Sequence, residues 1–99
     1  NWYNASKGWM ITATKTMAVE LAPAGIRVNA LAPVAGETPL LASFLGEDTP
    51  EMRAKFLATI PLGRFSTPAD MGAAATFLCS EAAGMITGAI LEVDGGRCI

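Results

Sequence analysis

Apolar residues recur at three- and four-residue steps over residues 5–22, where Met10, Ala13, Met17 and Leu21 mark one face. That period predicts an α-helix. Glu20 lies near its far end, and the breaker Pro23, Ala24, Gly25 stops it. The period then changes to two. Ile26, Val28 and Ala30 alternate with Arg27 and Asn29, Leu31 and Ala32 extend the apolar stretch, and Pro33 closes it. "GIRVNALAP" therefore predicts a strand. Beyond it, Gly36, Pro39, Gly46, Pro50, Pro61, Gly63 and Pro68 leave room only for short helical patches near 40–45 and 51–59. An interrupted excursion of this length is more often functional than a mere connector. Thr67 reads as an N-cap with Pro68 at the first helical position, starting a helix that runs to about Cys79. Gly84 and Gly88 bracket a turn, and residues 89–93 predict a second strand closed by Asp94, Gly95 and Gly96.

The order is helix, strand, broken crossover with a helix, strand. A crossover of that size joins two parallel strands with right-handed connectivity, and the fold class is α/β. Two parallel strands with an open edge do not make a self-sufficient sheet. The pattern describes about half of a larger α/β domain.

Composition agrees. The 99 residues are 52% hydrophobic and 16% charged, against roughly 45–50% and 25% in an average soluble domain. A small domain hides only about two-thirds of its surface, so either the core is tight and Ala-rich or one face is covered by something else. The net charge is −2. Lys7, Lys15, Arg27, Arg53, Lys55, Arg64 and Arg97 are spread along the chain, which gives no basic patch and argues against nucleic acid as a partner. Histidine is absent, and Cys79 and Cys98 form no CxxC pair, so no protein-built metal site is expected. Both thiols are expected free and reduced, as in a cytoplasmic protein. No signal peptide is visible. The most apolar segment, 71–79, lies between Asp70 and Glu81, far short of the roughly 20 residues that span a bilayer.

Chemistry enters with "YNASKG", residues 3–8. Residues four apart on a helix share a face, so Tyr3 and Lys7 address one spot. A free phenol is only about 0.1% ionised at neutral pH. A nearby cation favours the phenolate, and a shift of 2–3 units requires about 3–4 kcal/mol, within reach of a partly desolvated cleft. A tyrosine tuned in this way passes a proton to or from a substrate oxygen. The same spacing also occurs where the two side chains only snorkel and pack. Spacing alone leaves both readings open.

The surroundings add a resemblance. "YNASK" resembles the active-site YxASK of the short-chain dehydrogenase/reductase family. "ELAPAGIRVNALAP" is similar to the helix end and strand that follow it there. "GRFSTPADMGAAATFLCSEAAGMITGAILEVDGG" resembles the family's late helix and last strand. These segments stand in the family's order and cover nearly all of the chain. The resemblance implies the C-terminal part of a doubly wound, Rossmann-like parallel sheet, with two parallel strands and flanking helices over residues 1–99. It also implies roles. Tyr3 is the catalytic acid/base, while Lys7 hydrogen-bonds the nicotinamide ribose and lowers the Tyr3 pKa; Ser6 is structural. "PVAGET" matches the family's Pro-Gly-x-x-x-Thr at Pro33 and Thr38, which makes these two, with Lys7, the cofactor-binding candidates. Val34 replaces the usual glycine, and Gly36 offers backbone freedom two positions later. Thr38 is either a polar cofactor contact or the N-cap of "PLLASFL". Residues 39–60 correspond to the family's substrate-covering loop. There Leu40, Leu41, Phe44, Leu45, Phe56 and Leu57 either line an apolar pocket or simply pack. Trp2 and Trp9 flank the site helix as oligomer or substrate contacts.

The implied parent activity is that of an NAD- or NADP-dependent oxidoreductase, moving hydride between the cofactor and a small alcohol or carbonyl substrate. A homo-oligomer is the implied partner, through the tyrosine helix and "LEVDGGRCI". The family's N-terminal cofactor-binding half, with its glycine-rich turn for the pyrophosphate and its catalytic serine, is missing from these residues. The 99 residues alone are therefore expected to be inactive and to bind dinucleotide weakly or not at all. The alternative is a non-catalytic orphan half-domain that buries its open edge in a homo-oligomer or serves as an interaction module.

Overall fold

Helix α1 spans Trp2–Leu21 in the computed structural model, which describes residues 2–34, 36, 41, 46 and 49–97, with the backbone alone at Tyr3 and Asn4. It ends in a 3₁₀ turn, Ala22–Ala24, where Pro23 cannot continue the helix and Gly25 takes a left-handed φ of 75°. Strand β1 (Ala30–Pro33), helix α2 (Pro50–Leu57), helix α3 (Pro68–Cys79), a 3₁₀ turn (Glu81–Ala83) and strand β2 (Ile90–Val93) follow. Among the described residues β1 and β2 pair as a two-stranded parallel sheet, and the α/β architecture read from the sequence is observed. No helix among the described residues is long and apolar enough to cross a membrane.

The chain divides into two compact units. The first comprises residues 1–31 and 75–91. Here α1 buries Thr14 and Ala18 and half-buries Ala13 and Leu21, while Met10 and Met17 of the expected face stay exposed. Gly88, at φ 72°, lies against this face, where a Cβ placed on it would make ordinary van der Waals contact with the Ala18 methyl at 3.5 Å. Thr14 is buried without penalty because its hydroxyl donates to the Met10 carbonyl at 2.7 Å.

The strand begins at Ala30 rather than at Ile26. Over the preceding residues the side chains of Arg27 and Asn29 take over the bonding of a ladder. Arg27 donates to the carbonyls of Leu78 at 2.7 Å, Ser80 at 3.2 Å and Ile86 at 3.2 Å. Asn29 donates to the Ile86 carbonyl at 3.0 Å and accepts from the Ala89 N–H at 3.0 Å. The Leu78 carbonyl lies in the last turn of α3, where helices leave acceptors unpaired. Regular pairing starts with the Ala30 N–H on the Ala89 carbonyl at 2.9 Å.

The second unit comprises residues 32–74 and 92–99. Its core is Leu41, Ile60 and Phe65, with Val34, Phe56 and Leu57 packed against it. Thr49 caps α2 by accepting from the Met52 N–H at 3.2 Å, with Pro50 at the first helical position. The predicted cap of α3 is also present, and it is reciprocal. Thr67 Oγ1 accepts from the Asp70 N–H at 3.2 Å, and the Asp70 carboxylate accepts from the Thr67 N–H at 2.8 Å. Arg64 grips the same carboxylate at 2.7 and 3.1 Å. The Arg64 guanidinium first, then the Thr67 N–H, hold Asp70 well below the usual carboxylate range.

Candidate functional site

Tyr3 and Lys7 lie one turn apart on α1, whose helix is continuous from Trp2 to Leu21. That register puts them on the same face, with Cα atoms separated by about 6 Å along the axis. Ser6 and Lys7 are exposed, and the Tyr3 side chain lies outside what is described. The buried side chains of this helix, Thr14 and Ala18, sit two to four turns further on. The end that carries the pair therefore presents polar and apolar groups to the surface, and Trp2 and Trp9 are exposed there.

Pro33 is the last residue of β1 and is exposed. Its missing N–H falls on the edge away from β2, and the pairing continues past it, the Val34 N–H donating to the Val93 carbonyl at 3.3 Å. Val34 stands where the family pattern has glycine. Its side chain packs against the Leu41, Ile60 and Phe65 core, which gives the substitution a physical reason: this position contributes apolar burial to the second unit. Two bonds then fix the chain leaving β1. Gly36 forms an isolated parallel bridge with Ser66, and the Ser66 hydroxyl donates to the Val34 carbonyl at 3.3 Å. A cleft of about 230 Å³ opens beside this loop, lined by Pro33, Val34, Gly36, Met71 and the run Ser66, Thr67, Pro68. With the Ser66 hydroxyl engaged, the lining offers apolar surface rather than charge.

Thr38 lies outside the described residues, as do Leu40, Phe44 and Leu45. Of the loop residues singled out in the sequence, Leu41, Phe56 and Leu57 are core or core-packing residues of the second unit. Sequence reasoning missed Ser66 and Arg27. Ser66 stands just before the cap "TPAD" and carried no signal of its own, and the Arg27 partners are more than 50 positions distant in sequence. Among the described residues no group of three or more His, Cys, Asp or Glu side chains is placed to hold a metal ion.

The family model described as enoyl-(acyl carrier protein) reductase matches residues 1–97. The 4-formylbenzenesulfonate dehydrogenase of Comamonas testosteroni is 52% identical over 99 residues, which takes in 99% of this chain and 39% of the relative. The 3beta-hydroxysteroid dehydrogenase 1 of Eggerthella lenta is 47% identical over 97 residues, 98% of this chain and 36% of that protein. Among solved structures, the 3-ketoacyl-(acyl-carrier-protein) reductase of Brucella melitensis complexed with NADH matches with a TM-score of 0.86 at 57% identity, covering 99% of this chain and 37% of that one. The chain thus spans well under half the length of the relatives it matches.

Proposed function

The chain belongs to the short-chain dehydrogenase/reductase family, and from that premise we propose that residues 1–99 are the acid/base half of an NAD(P)-dependent oxidoreductase domain, with the cofactor-binding half N-terminal to it. The complete subunit interconverts a small alcohol and its carbonyl compound. The observation that carries this reading is the shared helical face of Tyr3 and Lys7 on α1. In the oxidative direction the Tyr3 phenolate oxygen accepts the substrate hydroxyl proton as the carbinol C–H leaves with its electron pair. In reduction the phenol gives that proton back to the carbonyl oxygen. Lys7 stabilises the phenolate through its charge.

A bound NAD or NADP supplies the hydride acceptor or donor. The donor chemistry of the chain suits the nicotinamide end of such a cofactor. Lys7 brings three N–H donors, exposed on α1, for ribose hydroxyls, Pro33 begins the loop at the end of β1, and Thr38 adds a hydroxyl. No glycine-rich turn leading into a helix occurs within residues 1–99 to take the pyrophosphate, so the 99 residues by themselves do not turn over substrate. The NADH-bound Brucella relative supports a nicotinamide cofactor without choosing between NAD and NADP. Residues 39–60 correspond by resemblance to the family's substrate-covering loop. The free, exposed thiol of Cys79 suits the reducing cytoplasm.

Calorimetric titration of the complete subunit with NADH and NADPH tests the reading. Lys7→Ala should weaken the tighter of the two by roughly tenfold or more, as expected for loss of charge-assisted hydrogen bonds. Unchanged affinity would contradict the role given to Lys7.

A second reading rests on exposed apolar surface. Trp2 is 92% exposed, Trp9 70% and Val19 76%, all on α1, an extent that calls for a partner. On this reading the half-domain self-associates without catalysis. Native mass spectrometry showing only multiples of the 10.3 kDa chain, together with no turnover when the N-terminal half is supplied, would favour it. In the first reading the same surface serves a homo-oligomer of complete subunits.

A further inference from the structure

The peptide groups of Val34 are held from both sides within the second unit. Its N–H donates to the Val93 carbonyl at 3.3 Å, and its carbonyl accepts from the Ser66 hydroxyl at 3.3 Å. Two residues on, Gly36 pairs with Ser66 through the backbone, in an isolated parallel bridge. Ser66 thus meets the chain leaving β1 twice, once with its side chain and once with its main chain. It is only 7% exposed, so little water competes for either contact.

Ser66 is itself seated between fixed neighbours. Phe65 before it belongs to the core of the unit, and the Phe65 carbonyl accepts from Arg64 at 3.1 Å. Thr67 after it caps α3 through the reciprocal bonds with Asp70, whose carboxylate Arg64 grips. Residues 65–67 therefore tie Val34 and Gly36 to the N-terminus of α3. A serine suits this place, because its hydroxyl stands one carbon from the backbone and reaches the carbonyl two residues before its bridge partner. Alanine offers no donor there. Threonine keeps the donor, and the cleft of about 230 Å³ that Ser66 lines with Gly36 and Met71 has room for the added methyl.

We propose that Ser66 is a positioning residue for the nicotinamide end of the cofactor: it fixes Val34 and Gly36, and through them the course of the chain that follows Pro33. The proposal rests on the oxidoreductase reading, in which Pro33 contacts NAD or NADP. A binding group held in place before its ligand arrives loses less freedom on binding, and a shift of about 1 Å at such a group is enough to weaken the fit.

The test titrates the complete subunit calorimetrically with NADH and NADPH. The tighter of the two is then compared with ADP-ribose or 2′-phospho-ADP-ribose, the matching probe that lacks only the nicotinamide. Ser66→Ala should raise Kd for the dinucleotide about 3- to 10-fold, as expected for loss of one hydrogen bond. Kd for the matching probe should stay within about twofold, and Ser66→Thr should keep both values within about twofold of the unaltered subunit. Amide hydrogen exchange at Val34 and Gly36 should quicken about threefold or more in Ser66→Ala and not in Ser66→Thr. Dinucleotide affinity unchanged in Ser66→Ala overturns the proposal. An equal loss for dinucleotide and probe overturns it too, because that is general loosening of the unit, and so does a Ser66→Thr subunit as impaired as Ser66→Ala. The oxidoreductase reading fails separately, in the unaltered subunit, if that binds neither NADH nor NADPH.

Discussion

Gly95 illustrates how much a single missing side chain decides. Its φ of 63° favours glycine, and a Cβ there would lie 2.6 Å from a methyl of Ile60, which is itself buried in the core and has little room to retreat. Backbone strain and overpacking act together, so Gly95→Ala should cost about 1–3 kcal/mol. Urea denaturation of the complete subunit reads this directly, and an unchanged midpoint would remove Gly95 from the account. Asp70 makes a prediction about pH. Its folded-state pKa lies below the unfolded value because Arg64 and the Thr67 N–H favour the carboxylate. The unfolded chain therefore binds the proton first as pH falls, and the stabilisation, complete above the unfolded carboxylate value near about 4, is lost on acidification through the folded value. Asp70→Asn should flatten the fall in stability below about pH 4 and leave the shape of the curve above about pH 6 unchanged. Denaturant midpoints measured across the acid range check it.

At the scale of elements, sequence was legible wherever the controlling interaction is local. The Thr67 cap and Pro68 start of α3 are legible in the run Thr67, Pro68, Ala69, Asp70, and the structure makes Asp70 the reciprocal partner. Thr67→Ala should cost about 1 kcal/mol, measurable as a shift in unfolding midpoint. The Tyr3 and Lys7 register was legible for the same reason, since helical period alone sets it. What failed was long-range. Helical period marks a face of Met10, Ala13, Met17 and Leu21, yet Met10 and Met17 are exposed and the buried side chains are Thr14 and Ala18, with Gly88, distant in sequence, lying against Ala18. The alternation at residues 26–29 had the period of a strand, yet Arg27 and Asn29 spend their side chains on carbonyls of the first unit. Arg27→Lys retains the charge but reaches fewer of those acceptors, and should cost about 1.5–3 kcal/mol. A loss below about 0.5 kcal/mol, typical of a surface site, would show that the three bonds matter little.

For the whole molecule, the apolar excess and the open edge inferred from strand count agree with a chain that spans 39% of one curated relative and 37% of an NADH-bound structural one. The family match over residues 1–97 supports the proposed acid/base reading of a spacing that alone leaves two readings open, and Tyr3 is the residue on which that proposal depends. The decisive measurement is NAD(P)-linked turnover of the complete subunit with Tyr3 and with Tyr3→Phe, at matched NADH affinity. Loss of a positioned general acid/base should lower kcat by about 10²–10⁴-fold. Turnover kept within a few-fold would place the proton transfer on another group and contradict the role assigned to this helix.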